Sequence, residues 1–116
     1  MMKVRWSPGA RERMDKTADF IQEQYGVKSK MRFKKEVRRV NDLLKANPYL
    51  GPVEPLLEDL TAEYHSIVVN SLNKMVYRIA DDTIHIADFW DTRREPQKQA
   101  QQLKDNESSN PEILKS

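Results

Sequence analysis

The chain is predicted to be an α+β domain: an antiparallel sheet (an N-terminal strand plus a three-stranded meander) with an α-helical hairpin packed on one face. Three observations predict it. From Tyr64 to Arg94, β-branched and aromatic residues dominate: Ile67, Val68, Val69, Val76, Tyr77, Ile79, Ile84, Ile86, Phe89 and Trp90. Turn residues interrupt them twice, at Asn70 to Asn73 and at Asp81-Asp82. From Pro8 to Ala46, apolar residues instead recur at helical spacing. A meander exposing an apolar face is unstable alone in water, and two short-linked amphipathic helices are its natural cover.

Residues 3–7 (KVRWS) alternate and are β-prone, which predicts the first strand. Ser7 is placed to cap a helix whose first residue, Pro8, lacks an N–H that would have no partner there. That helix runs to about Tyr25, with Ala10, Met14, Ala18, Ile21 and Tyr25 on one stripe, and Gly26 stops it. A second helix is expected from about Ser29 to Ala46, striped by Phe33, Val37, Val40 and Leu44 and ended by Asn47-Pro48. Residues 47–63 carry Pro48, Gly51, Pro52 and Pro55 and read as loop, with a helical turn expected at Leu56–Leu60.

Two-residue loops in both hairpins sort the meander into faces. Val68 then opposes Met75, Ser66 opposes Tyr77, Ile79 opposes Ile84 and Tyr77 opposes Ile86. Tyr64, Ser66, Val68, Met75, Tyr77, Ile79, Ile84, Ile86 and Trp90 form the expected core face. His65, Ile67, Val69, Lys74, Val76, Arg78, His85, Ala87 and Phe89 form an open face, with His65, Arg78 and His85 in a row. A one-residue slip in either turn exchanges the faces. The domain is assigned to residues 1–96, and 97–116 to a polar tail: a short exposed helix after Pro96, then an NESSNPEILKS end that is disordered or held by a partner.

At 116 residues, 38% hydrophobic and 33% charged, the chain suits one soluble domain with a modest core. No apolar run approaches bilayer length and no signal peptide is read at the start, so a cytoplasmic protein is expected. With no cysteine, disulfides, thiolate chemistry and Cys-ligated metals are excluded. The net charge of +2 hides a segregation. Residues 28–46 hold eight basic side chains against Glu36 and Asp42, whereas residues 47–63 hold four acidic ones and no base. Such asymmetry suits an anionic partner for the basic segment, but on charge alone an ordinary solvated helix face is the favoured reading.

The order of elements, with KMVYRI (Lys74–Ile79) and IADFWDTRREP (Ile86–Pro96), resembles the RelE/ParE toxins of bacterial type II toxin–antitoxin (plasmid stabilisation) systems over residues 3–96. The resemblance implies a growth-inhibiting toxin bound by a cognate antitoxin. It implies either a ribosome-dependent mRNA endonuclease or, in ParE-type members, a poison of DNA gyrase; an inactive antitoxin-binding remnant is a third reading. Arg93 matches a functional arginine that many members carry after the last strand. His65 stands where an arginine is common. Glu58, Asp59 and Glu63 occupy a segment that often holds lysines in the nuclease branch, and that branch's C-terminal tyrosine has no counterpart after Arg94.

RNA cleavage by 2′-hydroxyl attack requires a base, an acid and a cation for the charged phosphorane. Histidine serves the first two near neutrality, and arginine the third. On the expected open face His65, Arg78 and Arg93 are therefore the candidate catalytic residues, and Lys74, His85, Phe89 and Arg94 the candidate substrate-binding ones. The leading expectation is metal-independent mRNA cleavage on the ribosome, with gyrase binding as the alternative. No metal and no cofactor are expected.

Overall fold

The Ser7 hydroxyl accepts the Ala10 N–H (3.1 Å), capping the first helix as its sequence requires, with Pro8 at the first helical position. The computed structural model describes residues 2–108. Along it run β1 (Lys3–Trp6), α1 (Pro8–Tyr25), α2 (Val27–Ala46), a 3-10 turn at Pro55–Leu57, β2 (His65–Val69), β3 (Asn73–Ala80), β4 (Thr83–Asp91) and α3 (Pro96–Ser108). Gly26 alone joins the two long helices. At φ +95° it occupies backbone space open chiefly to glycine, and its N–H caps Gln22 while its carbonyl receives Lys30. The second helix thus begins two residues before the expected Ser29.

The sheet order is β1-β4-β3-β2. β1 joins β4 in parallel and the other two pairs are antiparallel, so the helical hairpin carries the chain from one sheet edge to the other. Its stripes meet the sheet: Ala10, Met14 and Ala18 of α1 and Phe33, Val37, Val40 and Leu44 of α2 are buried against Val69, Met75, Tyr77, Ile84, Ile86 and Phe89. Tyr25, expected on the stripe, is 73% exposed at the hairpin tip.

The opposite sheet face is not open. Leu57, Tyr64, Val76, Trp90, Ala100 and Leu103 form a second core there, roofed by the 3-10 turn and α3. The helix after Pro96 is therefore not wholly exposed; Ala100 and Leu103 are buried within it. Of the NESSNPEILKS end, residues 109–116 lie outside the described residues.

Two local events reassign the faces. The first hairpin closes at Val69↔Asn73, leaving a loop of three residues, not two. Asn70 and Ser71 take positive φ (47° and 66°), and the Asn70 side chain accepts the Leu72 N–H (3.3 Å). Asn tolerates this conformation and its carbonyl closes the turn locally. The extra residue slips β2 by one, so His65, Ile67 and Val69 join the helix side while Ser66 and Val68 leave it.

The second event is a bulge in β4. Tyr77 pairs with Ile86 but Val76 with Asp88, leaving Ala87 as the extra residue. Beyond it Phe89 turns to the helix core and Trp90 to the second core, reversing the expected sides. Ser7 holds the bulge by donating its N–H to the Ile86 carbonyl (2.9 Å) and its hydroxyl to that of Ala87 (3.1 Å). Buried Asp88 holds the other side, accepting from Phe89 N–H (2.8 Å), Trp90 Nε1–H (2.7 Å) and Arg13 Nη1 (2.6 Å). The second hairpin is as expected: Asp81 and Asp82 both adopt positive φ, the two-residue turn whose twist suits paired strands.

Candidate functional site

The register slip removes His65 from the expected row. The residue is 5% exposed on the helix side. Its Nδ1 donates to the Gly51 carbonyl (2.8 Å), its Nε2 lies 3.0 Å from the Glu63 carboxylate, and its ring stacks on Tyr77 at 5.5 Å. Tyr77 in turn donates to the Pro48 carbonyl and accepts from Gly51 N–H. Both ring nitrogens are thus engaged within the fold, and neither is open to a substrate.

Phe89, expected as an exposed stacking residue, is buried against Phe33 (6.0 Å, edge-on) and Trp6 (6.1 Å). Lys74 is tied down as well. Its Nζ lies 2.7 Å from Glu54, a carboxylate only 1% exposed that also accepts from Ser66 Oγ and Leu56 N–H. Burial alone would raise the Glu54 pKa, but these three donors hold it below the ordinary carboxylate value. An ion pair so satisfied reads as part of the second core, with Lys74 lying over the Trp90 ring.

Arg78 and His85 pair across β3 and β4 and face away from the hairpin, as expected. Arg5 of β1 sits opposite His85 on its other side. Burial, then the charges of Arg78 and Arg5, lowers the His85 pKa; only Asp81 and the Ala80 backbone act against them.

At the far end of β4, Arg93 and Arg94 leave the strand beside a cleft of about 480 Å³. Arg13 and Lys16 of α1 and Gln99 and Gln102 of α3 line its other walls, with Phe20 at its rim. Arg93 grips Asp91 through Nε (3.1 Å) and Nη2 (3.2 Å). Burial opposes the Asp91 charge, but hydrogen bonds from Arg93 keep its pKa low. Arg13 is aimed by Asp88 and by Gln102 (2.7 Å). Four cations converge there from α1 and the segment after β4. Arg13 and Lys16 escaped the sequence reading because they lie on a helix face about 80 positions from Arg93; the buried Asp88 that orients Arg13 was the one available signal, an acid within an apolar strand.

The structure therefore separates the expected site. Arg78 and His85 share one surface, Arg93 and Arg94 share another, and His65, Lys74 and Phe89 are engaged in packing. Among the described residues no helix is long and apolar enough to cross a membrane.

Comparison with known proteins adds two findings. The family model described as "ParE toxin of type II toxin-antitoxin system, parDE" matches residues 4–96. Among solved structures, a chain of "Chromosomal ParDE TA system from P. aeruginosa" superposes with a TM-score of 0.64 at 14% identity, covering 78% of this chain and 96% of that one. At that identity the likeness concerns the fold. No curated protein matches the chain.

Proposed function

The chain belongs to the ParE toxin family of type II toxin–antitoxin systems, and we propose that it acts in the bacterial cytoplasm by docking onto DNA gyrase rather than by cleaving mRNA. One observation carries the choice: the two histidines lie on opposite faces of the sheet, and His65 is sealed within the fold. Proton transfer in RNA cleavage needs a base and an acid within hydrogen-bond reach of one phosphodiester. Without that pair, the exposed arginines are better suited to binding than to catalysis. Arg93, Arg94 and Lys16, with Phe20 half-exposed beside them, offer a cationic cleft with an aromatic rim for a protein target.

A cognate antitoxin is the second partner. Tyr49, Leu50 and Val53 precede edge strand β2, Val53 bridging to His65, and Val68 lies on it; all four are exposed, and we assign them to the antitoxin interface.

Purified protein added to gyrase and plasmid DNA is expected to accumulate cleaved gyrase–DNA complexes, and to leave message intact on translating ribosomes. Arg93→Ala with Arg94→Ala should weaken the gyrase effect at least tenfold without changing the Tm. Cut message together with unaffected gyrase would overturn the reading.

A further inference from the structure

On the face away from the helical hairpin, register places Arg5, His85 and Arg78 side by side across β1, β4 and β3. Lys3 lies one rank along, opposite Thr83. Val4, Trp6, Ile79, Ile84 and Ile86 point into the hairpin core, so their neighbours in sequence point out. The second core gathers around Val76, Ala87 and Trp90, and Arg78 borders it at Tyr64, whose hydroxyl donates to Glu107. Lys3 and Arg5 are exposed, and Arg78 and His85 half-exposed.

Adjacent strands stand about 4.8 Å apart, so Arg5 and Arg78 flank His85 with their backbones roughly 10 Å from each other. Like charges facing across neighbouring strands destabilise a sheet. Elsewhere cations of this protein have acidic partners: Arg39 is paired with Glu36, Lys30 with Asp19, Lys74 with Glu54 and Lys104 with Asp59. Among the described residues, no carboxylate forms an ion pair with Lys3, Arg5 or Arg78. Guanidinium forks presented in line match phosphate oxygens bidentately.

We propose that Lys3, Arg5, His85 and Arg78 form a strip that binds the phosphate backbone of nucleic acid. It is distinct from the Arg93–Arg94 cleft and stands whether or not gyrase is the target. A phosphate seated between the two arginines would also favour the charged imidazole of His85, against the present influence of Arg78 and Arg5, with Asp81 the nearby acid. Binding should therefore tighten as pH falls from 8 to 6.

The test is fluorescence anisotropy of a labelled 20-base-pair DNA duplex with the full chain, titrated across a salt series without gyrase. Arg5→Gln with Arg78→Gln should weaken binding at least tenfold. The same pair should flatten the slope of log K against log salt by about two, near 0.9 for each phosphate no longer neutralised. Lys3→Gln with Arg5→Gln, both on the exposed face of β1, gives a second readout should Arg78→Gln disturb folding. His85→Gln should abolish the difference between pH 6 and pH 8. Lys35→Gln with Arg38→Gln on α2 should leave the slope unchanged. Loss of binding in the α2 variant but not in the strip variants would overturn the proposal, as would equal affinity for poly-glutamate.

Discussion

Replacing Asp88 with alanine removes the group that holds the β4 bulge and aims Arg13. The carboxylate is 3% exposed and accepts from two buried donors, Phe89 N–H and Trp90 Nε1–H, and from Arg13. A buried donor left without an acceptor costs about 1–3 kcal/mol. The Arg13 side chain is 33% exposed, so its ion pair adds no more than about 1 kcal/mol. The expected loss is about 3–5 kcal/mol, a large share of the roughly 5–15 kcal/mol by which a domain is stable. At this chain length it corresponds to a Tm drop of roughly 10–20 °C. Asp88→Asn keeps one acceptor oxygen but turns an amide toward donors, so its loss should be about half as large. Urea unfolding followed by tryptophan emission and far-UV circular dichroism measures both variants. A loss below about 1 kcal/mol for Asp88→Ala would refute the claim that this carboxylate holds the bulge, and with it the account of how Trp90 and Phe89 come to their faces.

Gly51→Ala should destabilise by about 1–3 kcal/mol or more, because its Cβ would meet the Ser66 carbonyl at 2.5 Å and Tyr77 Oη at 2.9 Å; a thermal melt reads it. His65→Ala should cost about 2–3 kcal/mol of stability through loss of the Tyr77 stack and the Gly51 hydrogen bond and lower the Tm accordingly, so a matching melt should accompany any loss of growth arrest. The lowered pKa of Glu54 gives stability that is complete above the ordinary glutamate value, near 4.5, and fades as pH falls toward its folded value. Tm measured from pH 6 to pH 3 should therefore fall less steeply in Glu54→Gln than in the wild type.

What the sequence by itself determined was whatever rests on period and local chemistry. The stripes at Ala10, Met14 and Ala18 and at Phe33, Val37, Val40 and Leu44 are the buried faces of their helices, because a 3.6-residue period allows one apolar side. Ser7-Pro8, Gly26 and Asp81-Asp82 act as cap, stop and turn, since each carries its own conformational preference. The pairing of Arg78 with His85 follows from that second turn. The faces of β2 and of the end of β4 were decided by tertiary structure. A strand's two sides exchange on a slip of a single residue; here the three-residue loop at Asn70–Leu72 sets the β2 slip, and packing from outside the meander holds both. Ser7 and Arg13 bind around Ala87 and Asp88, about 80 positions away, and Gly51 receives His65 beneath Tyr49 and Tyr77. Alternation states that a strand has two faces; which one meets the helices is set by packing and hydrogen bonds that exist only once the chain has folded.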